Sequence, residues 1–150
     1  MKKNLEKKWT PDEVQAALGE KGVRFTKKRA VVLEAMLNAA GHLTIDEILF
    51  QVKKLDPRIG YVTVYRTLKI FKECGFVNQW QFGDGFSRFE KTGDHHDHLI
   101  CLKCGKILEF EEDEIEALQK SVAKRYHFQI VSHVHEIYGY CKECVSVKKI

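Results

Sequence analysis

The sequence predicts an α+β fold in two parts, and three observations support this prediction. Four segments between residues 10 and 74 carry apolar residues at helical spacing. Two short segments of strand character follow before residue 90. Beyond residue 91, short strands expected at residues 98–102, 106–110, 128–132 and 134–140 surround one amphipathic helix, expected at residues 112–125. We therefore expect a helical first domain at residues 1–90 and a small α/β second domain at residues 91–150.

The four predicted helices of the first domain are bounded by recognisable terminal residues. Capping boxes at Thr10–Glu13 and Thr44–Glu47 begin the first and third helices, because such a Thr and Glu each accept a hydrogen bond from a free backbone N–H. Thr26 begins the second helix, and Gly41 ends it. The fourth helix is expected at residues 62–74.

A β-hairpin is predicted directly after the fourth helix. Residues 76–82 and 86–89 have strand-forming side chains, and the glycine-rich residues 83–85 between them supply a tight turn. Helices followed by such a hairpin give the element order of a winged helix-turn-helix, in which the helix before the hairpin enters the DNA major groove. The first domain is therefore predicted to be a winged helix-turn-helix.

The fourth helix has an outward face suited to reading DNA. Leu68 and Phe71 lie three positions apart and are predicted to face the core, which leaves Thr63, Tyr65 and Arg66 outside. An arginine can bind guanine or phosphate, and an aromatic ring or a threonine methyl can contact the thymine methyl. A merely solvated polar face is the alternative for these residues.

Positive charge is concentrated in the first domain. The net charge is +4, and residues 1–90 carry 16 Lys and Arg against 11 Asp and Glu, whereas residues 91–150 carry 9 against 10. Residues 24–29, beginning with Arg24, add four basic side chains around the start of the second helix, where phosphates bind readily. This distribution indicates a polyanionic partner, with a mildly basic solvated surface as the alternative.

The sequence shows no feature that points to a membrane or to secretion. No run approaches the roughly 20 apolar residues that are needed to cross a bilayer. The charged residues at the N-terminus are not followed by an apolar segment, so no signal peptide is predicted. We therefore expect a cytoplasmic protein, in which paired cysteines more often bind metal than form disulfides.

Four of the five cysteines form two C-x2-C pairs, Cys101/Cys104 and Cys141/Cys144. Two such pairs supply the four thiolates of a closed tetrahedral Zn²⁺ site, which leaves no open position for a substrate. A structural zinc ion that ties the C-terminal segment to the second domain is therefore predicted. Redox-active or disulfide-forming pairs are the alternative. Cys74, alone near a helix end, is expected to be a small buried residue.

The sequence His95-His96-Asp97-His98 places four potential metal ligands in succession. Because side chains alternate along a strand, His95 and Asp97 are expected on one face, and His96 and His98 on the other. Such nitrogen and oxygen ligands suit Fe²⁺, Mn²⁺, Co²⁺ or Zn²⁺. Further ligands for the second pair could come from His42, Glu90 and Glu109, and for the first pair from Glu116 and His133. Each isolated histidine has a solvated or hydrogen-bonded role as its alternative, and His135 has no predicted role.

Several of these motifs together resemble the ferric uptake regulator (Fur) family, over about residues 10–145. The matching stretches are Arg24–Arg29, Thr63–Leu68, His95–Cys101 with Cys104 and Gly105, and Tyr138–Cys141 with Cys144. The resemblance implies a winged-helix repressor without enzymatic activity and with a C-terminal dimerisation domain. It also implies a homodimer or tetramer that binds double-stranded DNA at an AT-rich palindromic operator.

The resemblance assigns roles to individual residues as well. It implies a structural zinc ion at the four paired cysteines, major-groove contacts by Tyr65 and Arg66, and a position for Arg24 at the minor groove. A regulatory metal site at the hinge between the domains would comprise His42, Glu90, His96, His98 and Glu109. A second site, within the dimerisation domain, would comprise His95, Asp97, Glu116 and His133.

We expect Fe²⁺ to be the regulatory metal and to act as co-repressor of iron uptake genes, with Mn²⁺, Co²⁺ or Zn²⁺ able to substitute. Family members that respond to zinc, manganese or peroxide are the alternatives, and the peroxide-responsive branch typically has Asp where this chain has Glu109. One ion bridging both domains would fix the two winged helices of a dimer at one separation. A metallohydrolase or a zinc-ribbon module without a DNA role is a more distant alternative.

Overall fold

The computed structural model describes residues 9–93 and 95–145 of the chain. The chain divides into two compact units, Met1–Asp94 and His95–Ile150, called the first and second units below. Both contain helices and strands, so the predicted α+β class is confirmed. Among the described residues, no helix combines the length and the apolar character that a bilayer crossing requires.

The first unit contains the four predicted helices and the predicted hairpin. Both capping boxes are confirmed, since the side chains of Thr10 and Thr44 accept from the backbone N–H groups of Glu13 and Glu47 at 3.2 and 3.3 Å. Thr26 caps the second helix in the same way. The elements are α1 (Pro11–Glu20), α2 (Lys27–Asn38), β1 (Leu43–Thr44), α3 (Ile45–Leu55), α4 (Tyr61–Glu73), β2 (Val77–Gln81) and β3 (Ser87–Lys91).

The core of the first unit lies between the helices and one face of the hairpin. Helix α4 contributes Val64, Leu68 and Phe71, none of which is exposed to solvent. The prediction that Leu68 and Phe71 face inward is therefore confirmed, and Tyr65, which lies outside the buried face, is 44% exposed. A helix fixed to the core by one face can present the other face to a partner without deforming.

A three-stranded sheet of order β1-β3-β2 completes the first unit. The two-residue strand β1 was not predicted, and it pairs antiparallel with β3 through Leu43↔Phe89 and Thr44↔Arg88. Continuing this register by one residue brings His42 beside Glu90. Pairing between two segments nearly fifty residues apart thus positions two of the predicted metal ligands.

The second unit is a three-stranded sheet of order β5-β4-β6 with one long helix. Strand β4 lies at the centre and pairs antiparallel with β5 and parallel with β6. The central strand therefore carries the predicted ligands His98 and Cys101 with a neighbour on each side. The elements are β4 (Asp97–Cys101), β5 (Ile107–Phe110), α5 (Asp113–Arg125), β6 (Glu136–Gly139) and α6 (Lys142–Val145).

The strand predicted at residues 128–132 is absent, and the one predicted at 134–140 is shortened to β6. Pairing between β4 and β6 begins only at His98↔Glu136, so the preceding residues lie beyond the point where the two strands meet. A strand-like sequence without a neighbouring strand has no partner for its backbone groups. Residues 128–135 are therefore irregular, and Val131 is 93% exposed.

Much of the apolar surface of the second unit is uncovered. Helix α5 has no buried residue, and Leu118, Val122 and Tyr126 on its apolar side are 66%, 49% and 73% exposed. This side of α5 and residues 128–135 line a groove of 630 Å³. An exposed apolar surface of this extent typically marks a site at which a partner or a ligand binds.

Candidate metal centres and nucleic-acid interface

The four paired cysteines converge at one end of the sheet in the second unit. Cys101 ends β4, and Cys141 follows the parallel neighbour β6, where Cys101 pairs with Gly139. The four sulfur atoms lie within 4.8 Å of one another, and Cys104 Sγ is 3.6 Å from Cys141 Sγ. Tetrahedral ligands at about 2.3 Å from a zinc ion are separated by about 3.8 Å. The spacing and the four soft donors fit Zn²⁺.

The surroundings of these thiols favour thiolate at one position and thiol at two others. The backbone N–H of Cys141 donates to Cys101 Sγ at 3.3 Å, and such bonds lower the pKa of Cys101 to about 6. A hydrogen bond to the Glu143 carboxylate raises the pKa of Cys141 to about 12, and burial raises the pKa of Cys144. Metal binding must displace protons from the latter two, so affinity falls as pH falls.

A second cluster within the second unit joins His95, Asp97, Glu116 and His133, and strand alternation had placed the first two of these on one face. His95 Nε2 lies 2.9 Å from His133 Nε2 and 3.3 Å from Asp97 Oδ1. Both imidazole nitrogens also lie within 3.1 Å of Glu116 Oε1. These three elements, the start of β4, the first turn of α5 and residues 128–135, therefore aim four ligand atoms at one point.

The distances in this cluster match the packing of ligands around a single ion. Four ligands at about 2.0–2.1 Å from a metal in tetrahedral geometry lie about 3.3 Å apart. The 2.9 Å separation between the Nε2 atoms of His95 and His133 suits two ligands of one ion, and without an ion it suits an N–H···N hydrogen bond between imidazoles of opposite tautomer. Nitrogen and carboxylate donors fit a divalent transition metal better than Ca²⁺ or Mg²⁺.

The first unit holds His42 and Glu90 in contact. His42 Nε2 lies 2.9 Å from Glu90 Oε2, and these side chains are 3% and 5% exposed. The Phe82 ring packs edge-on against the His42 ring, with centroids 5.5 Å apart. A buried carboxylate is stable when its oxygens accept hydrogen bonds or bind a cation. The two predicted ligands of this unit therefore form an organised half-site.

The second unit holds the other three predicted regulatory ligands near one another. The rings of His96 and His98 are 4.9 Å apart between centroids and nearly perpendicular. His98 pairs with Glu109 across the β4–β5 ladder, which places these residues side by side. The geometry brings two imidazoles and one carboxylate to the same part of the sheet.

Two residues that support Glu90 were missed by the sequence reasoning. Trp80 Nε1 donates to Glu90 Oε1 at 2.6 Å, and Asn78 Nδ2 donates to the same oxygen at 3.3 Å. Both residues lie on β2, where Asn78 is the direct partner of Glu90. Asn78 and Trp80 alternate along one strand of the hairpin, so the sequence indicated that they share a face. Only the register between β2 and β3 shows that this face meets Glu90. Asn78 and Trp80 leave the other carboxylate oxygen of Glu90 directed at His42.

The outward face of α4 is exposed, as predicted. Tyr61 and Tyr65 are 48% and 44% exposed, and their rings stack with centroids 6.4 Å apart and an angle of 7°. Arg66 is exposed next to them, and Thr63 is half-buried with its carbonyl bonded to the Thr67 hydroxyl. Two stacked aromatic rings beside a guanidinium form an ordered surface that can contact base edges and phosphates.

The basic segment at the start of α2 is also exposed. The Arg29 guanidinium donates to the carbonyl of Arg24, so that the segment folds back on itself before the helix begins. The Arg24, Lys27 and Lys28 side chains are exposed. Exposed cations at a helix start are suited to phosphate contacts.

Comparison with known proteins agrees with this arrangement. Residues 20–138 match the sequence profile of the Ferric uptake regulator family. A ferric uptake regulation protein of Campylobacter upsaliensis is 33% identical over 98% of this chain and 96% of its own. A peroxide-responsive repressor, PerR, of Staphylococcus epidermidis is 35% identical over 89% of each chain.

Solved structures give the same answer. The Helicobacter pylori ferric uptake regulator, which has three functional metal-binding sites, is 31% identical and superposes with a TM-score of 0.84 over 89% of this chain and 90% of its own. A zinc-bound manganese uptake regulator is 38% identical, with a TM-score of 0.68 over 85% of this chain and 98% of its own. The family predicted from the motifs is confirmed, and this chain belongs to the ferric uptake regulator family of metal-responsive transcriptional repressors.

Proposed function

We propose that this metal-responsive repressor responds to Fe²⁺ and controls iron uptake genes in the cytoplasm. The observation that carries the proposal is the organised His42–Glu90 half-site, with its 2.9 Å contact and its Trp80 support. Imidazole and carboxylate ligands without thiolates suit Fe²⁺ and leave its binding reversible. Relatives named as ferric uptake regulation proteins are 33–40% identical to this chain.

We assign residues 1–90 to DNA binding and residues 91–150 to dimerisation. The exposed aromatic and basic face of α4 supports the first assignment. The uncovered groove of 630 Å³ along α5 supports the second, because a second copy of this chain would cover the same apolar surface on both subunits. A homodimer also matches a palindromic operator, in which each half-site meets one winged helix.

Three metal sites are proposed. Zn²⁺ is held by Cys101, Cys104, Cys141 and Cys144, whose four soft donors and 3.6 Å sulfur separation suit a structural ion. The regulatory ion is held by His42, Glu90, His96, His98 and Glu109. The second site is held by His95, Asp97, Glu116 and His133. The number of sites equals that of the Helicobacter pylori regulator.

The proposed mechanism is a clamp between the two units. His42 and Glu90 belong to the DNA-binding unit, whereas His96, His98 and Glu109 belong to the dimerisation unit. Holding one ion with ligands from both units favours one arrangement of the winged helices over others. Successive major-groove half-sites recur at about 34–36 Å, so only a fixed separation lets both α4 helices dock. Complete control requires the clamped form to bind the ion about 10⁴-fold more tightly.

A zinc-, manganese- or peroxide-responsive role is the second candidate. Relatives at 35–38% identity include PerR and manganese uptake regulators, so overall similarity does not separate the branches. The glutamate at position 109 favours the iron branch, because the peroxide-responsive branch typically has Asp there. The operator is proposed to be AT-rich, with binding as a dimer or as a tetramer formed from two dimers.

Metal-dependent DNA binding tests this function directly. We expect the zinc-loaded dimer to bind an AT-rich palindrome tightly with Fe²⁺ under anaerobic conditions, and at least about 100-fold more weakly when the regulatory ion is removed. Fluorescence anisotropy with labelled DNA at constant ionic strength measures this difference, since salt alone changes affinity. Equal affinity with and without added metal would contradict the clamp. Operator binding that responds to Zn²⁺ at a free concentration far below the free Fe²⁺ concentration in cells would favour the zinc branch.

The recognition helix gives a separate prediction. Tyr65→Ala and Arg66→Ala should each weaken specific operator binding by about 1–3 kcal/mol, because each removes one base or phosphate contact. Tyr65→Phe keeps the stacked ring and Arg66→Lys keeps the charge, so both serve as matched controls. If Arg66 contacts phosphate, its loss should reduce the slope of log binding constant against log salt concentration by about one. If it contacts a base, its loss should relax the sequence preference of binding. Wild-type affinity in both alanine variants would exclude α4 as the reading helix.

A further inference from the structure

We propose that His135 is a positioning residue for Asp97, which this inference takes, from the proposed function, to be a ligand of the second metal site. The Asp97 side chain is only 2% exposed, so its carboxylate needs partners for both oxygens. Oδ1 lies 3.3 Å from His95 Nε2, within the ligand cluster. Oδ2 lies 3.5 Å from His135 Nδ1, outside that cluster. The two oxygens of Asp97 therefore face two different histidines, and only one of these is among the ligands.

The backbone fixes His135 next to the site. The N–H of His98 donates to the carbonyl of His135 at 3.2 Å, one residue before β6 begins to pair with β4. This bond ties the otherwise irregular residues 128–135 to the central strand directly beside Asp97. The position of His135 is therefore set by the sheet and does not depend on its own side chain.

A ring contact then sets the direction of the imidazole. Phe110 is the direct partner of Asp97 across the β4–β5 ladder, and its ring packs edge-on against His135, with centroids 5.9 Å apart. The Nδ1 atom of His135 is buried without a hydrogen-bond partner among the described residues and lies 3.5 Å from Asp97 Oδ2. A buried nitrogen without a full hydrogen bond is costly, so this arrangement favours closure onto the carboxylate.

The 3.5 Å separation is longer than the 2.7–3.2 Å of a full N–H···O bond, and we infer that it shortens when the cluster holds an ion. His135 would then donate from Nδ1 to Oδ2 and keep Oδ1 turned toward the metal. Partners of this kind, which hold a ligand without touching the ion, typically change metal affinity by about 10- to 100-fold. The same carbonyl bond places His135 against His98, so it contacts the strand that bears ligands for both proposed nitrogen–oxygen sites.

Co²⁺ binding measures this role without any DNA-binding assay. The regulatory site is first disabled by His96→Ala in the zinc-loaded dimer, so that added Co²⁺ reports on the second site. In this background we expect His135→Leu to weaken Co²⁺ affinity by about 10- to 100-fold in competition with a chromophoric chelator. The visible absorption of bound Co²⁺ should also change, because the Asp97 carboxylate is no longer held in one orientation.

A conservative variant separates positioning from packing. Asn places an amide N–H close to where Nδ1 lies, so His135→Asn should restore most of the affinity that His135→Leu loses. Unchanged affinity in His135→Leu would overturn the proposal, and so would an equal loss in both variants. Replacement of the ligand itself, His95→Ala, should abolish Co²⁺ binding. If Co²⁺ still binds to that variant, the second site is wrongly assigned, a failure distinct from that of His135 alone.

Discussion

Cys141→Ser is expected to release zinc and to unfold the second unit, leaving a monomeric protein without operator affinity. The reason is that the second unit has little core of its own. Among its described residues, only Ile100, Cys101, Asp97 and His98 are buried, and two of these are polar. Binding of a structural zinc ion supplies about 10–16 kcal/mol of folding free energy in small zinc domains at neutral pH. The parallel β4–β6 pairing covers only four residue pairs, so it cannot replace this contribution.

Three measurements check the result. Metal analysis should give one zinc fewer per chain, light scattering should give the monomer mass, and circular dichroism should show the loss of the second unit's strands and of α5. The matched control is Cys74→Ala, since Cys74 is the one cysteine outside the cluster and lies half-buried against the core of the first unit. It should retain zinc and the dimer. A Cys141→Ser protein with full zinc content and unchanged melting would refute the structural role.

The helices were predictable because their signals are local. Capping boxes such as Thr10–Glu13 and Thr44–Glu47 depend on residues three apart, and the same atoms form the bonds seen in the structure. Strand pairing depends on distant residues, and here prediction was weaker. β1 is only two residues long and exists because β3 lies beside it. Residues 128–132 have strand-forming side chains but no neighbouring strand, so their predicted strand does not form.

For the candidate sites too, local features were predictable and those that depend on distant residues were not. The four cysteines and the alternation of His95 to His98 were read from spacing alone, since each ligand group is anchored in one short segment. The residues that hold those ligands in place could not be identified from spacing. Trp80 and Asn78 reach Glu90 through the hairpin register, and His135 reaches Asp97 only because β6 runs parallel to β4. Spacing in the sequence identifies donors, whereas the residues that orient them are defined by tertiary pairing.

His96→Ala is expected to abolish metal-dependent operator binding while leaving a folded, zinc-containing dimer. His96 precedes β4 and is half-buried, so its loss removes a ligand without breaking a strand pair or opening the core. His42 and Glu90 would keep their contact in the first unit, but the second unit would offer one imidazole fewer to the shared ion. The preference of the metal for the clamped form then falls below the roughly 10⁴-fold that full switching requires.

The comparison that isolates the ligand role is His127→Asn, which replaces a histidine outside all three clusters. His127 has φ = 51°, in the left-handed region that Asn tolerates well, so this variant should keep the backbone and the metal response. Both variants are compared with the wild type by operator anisotropy with and without Fe²⁺, by light scattering and by zinc content. If His96→Ala binds the operator with the wild-type dependence on Fe²⁺, the regulatory ion is held elsewhere. If it loses zinc or dissociates, His96 stabilises the dimer itself, and the clamp must be tested at Glu90 instead.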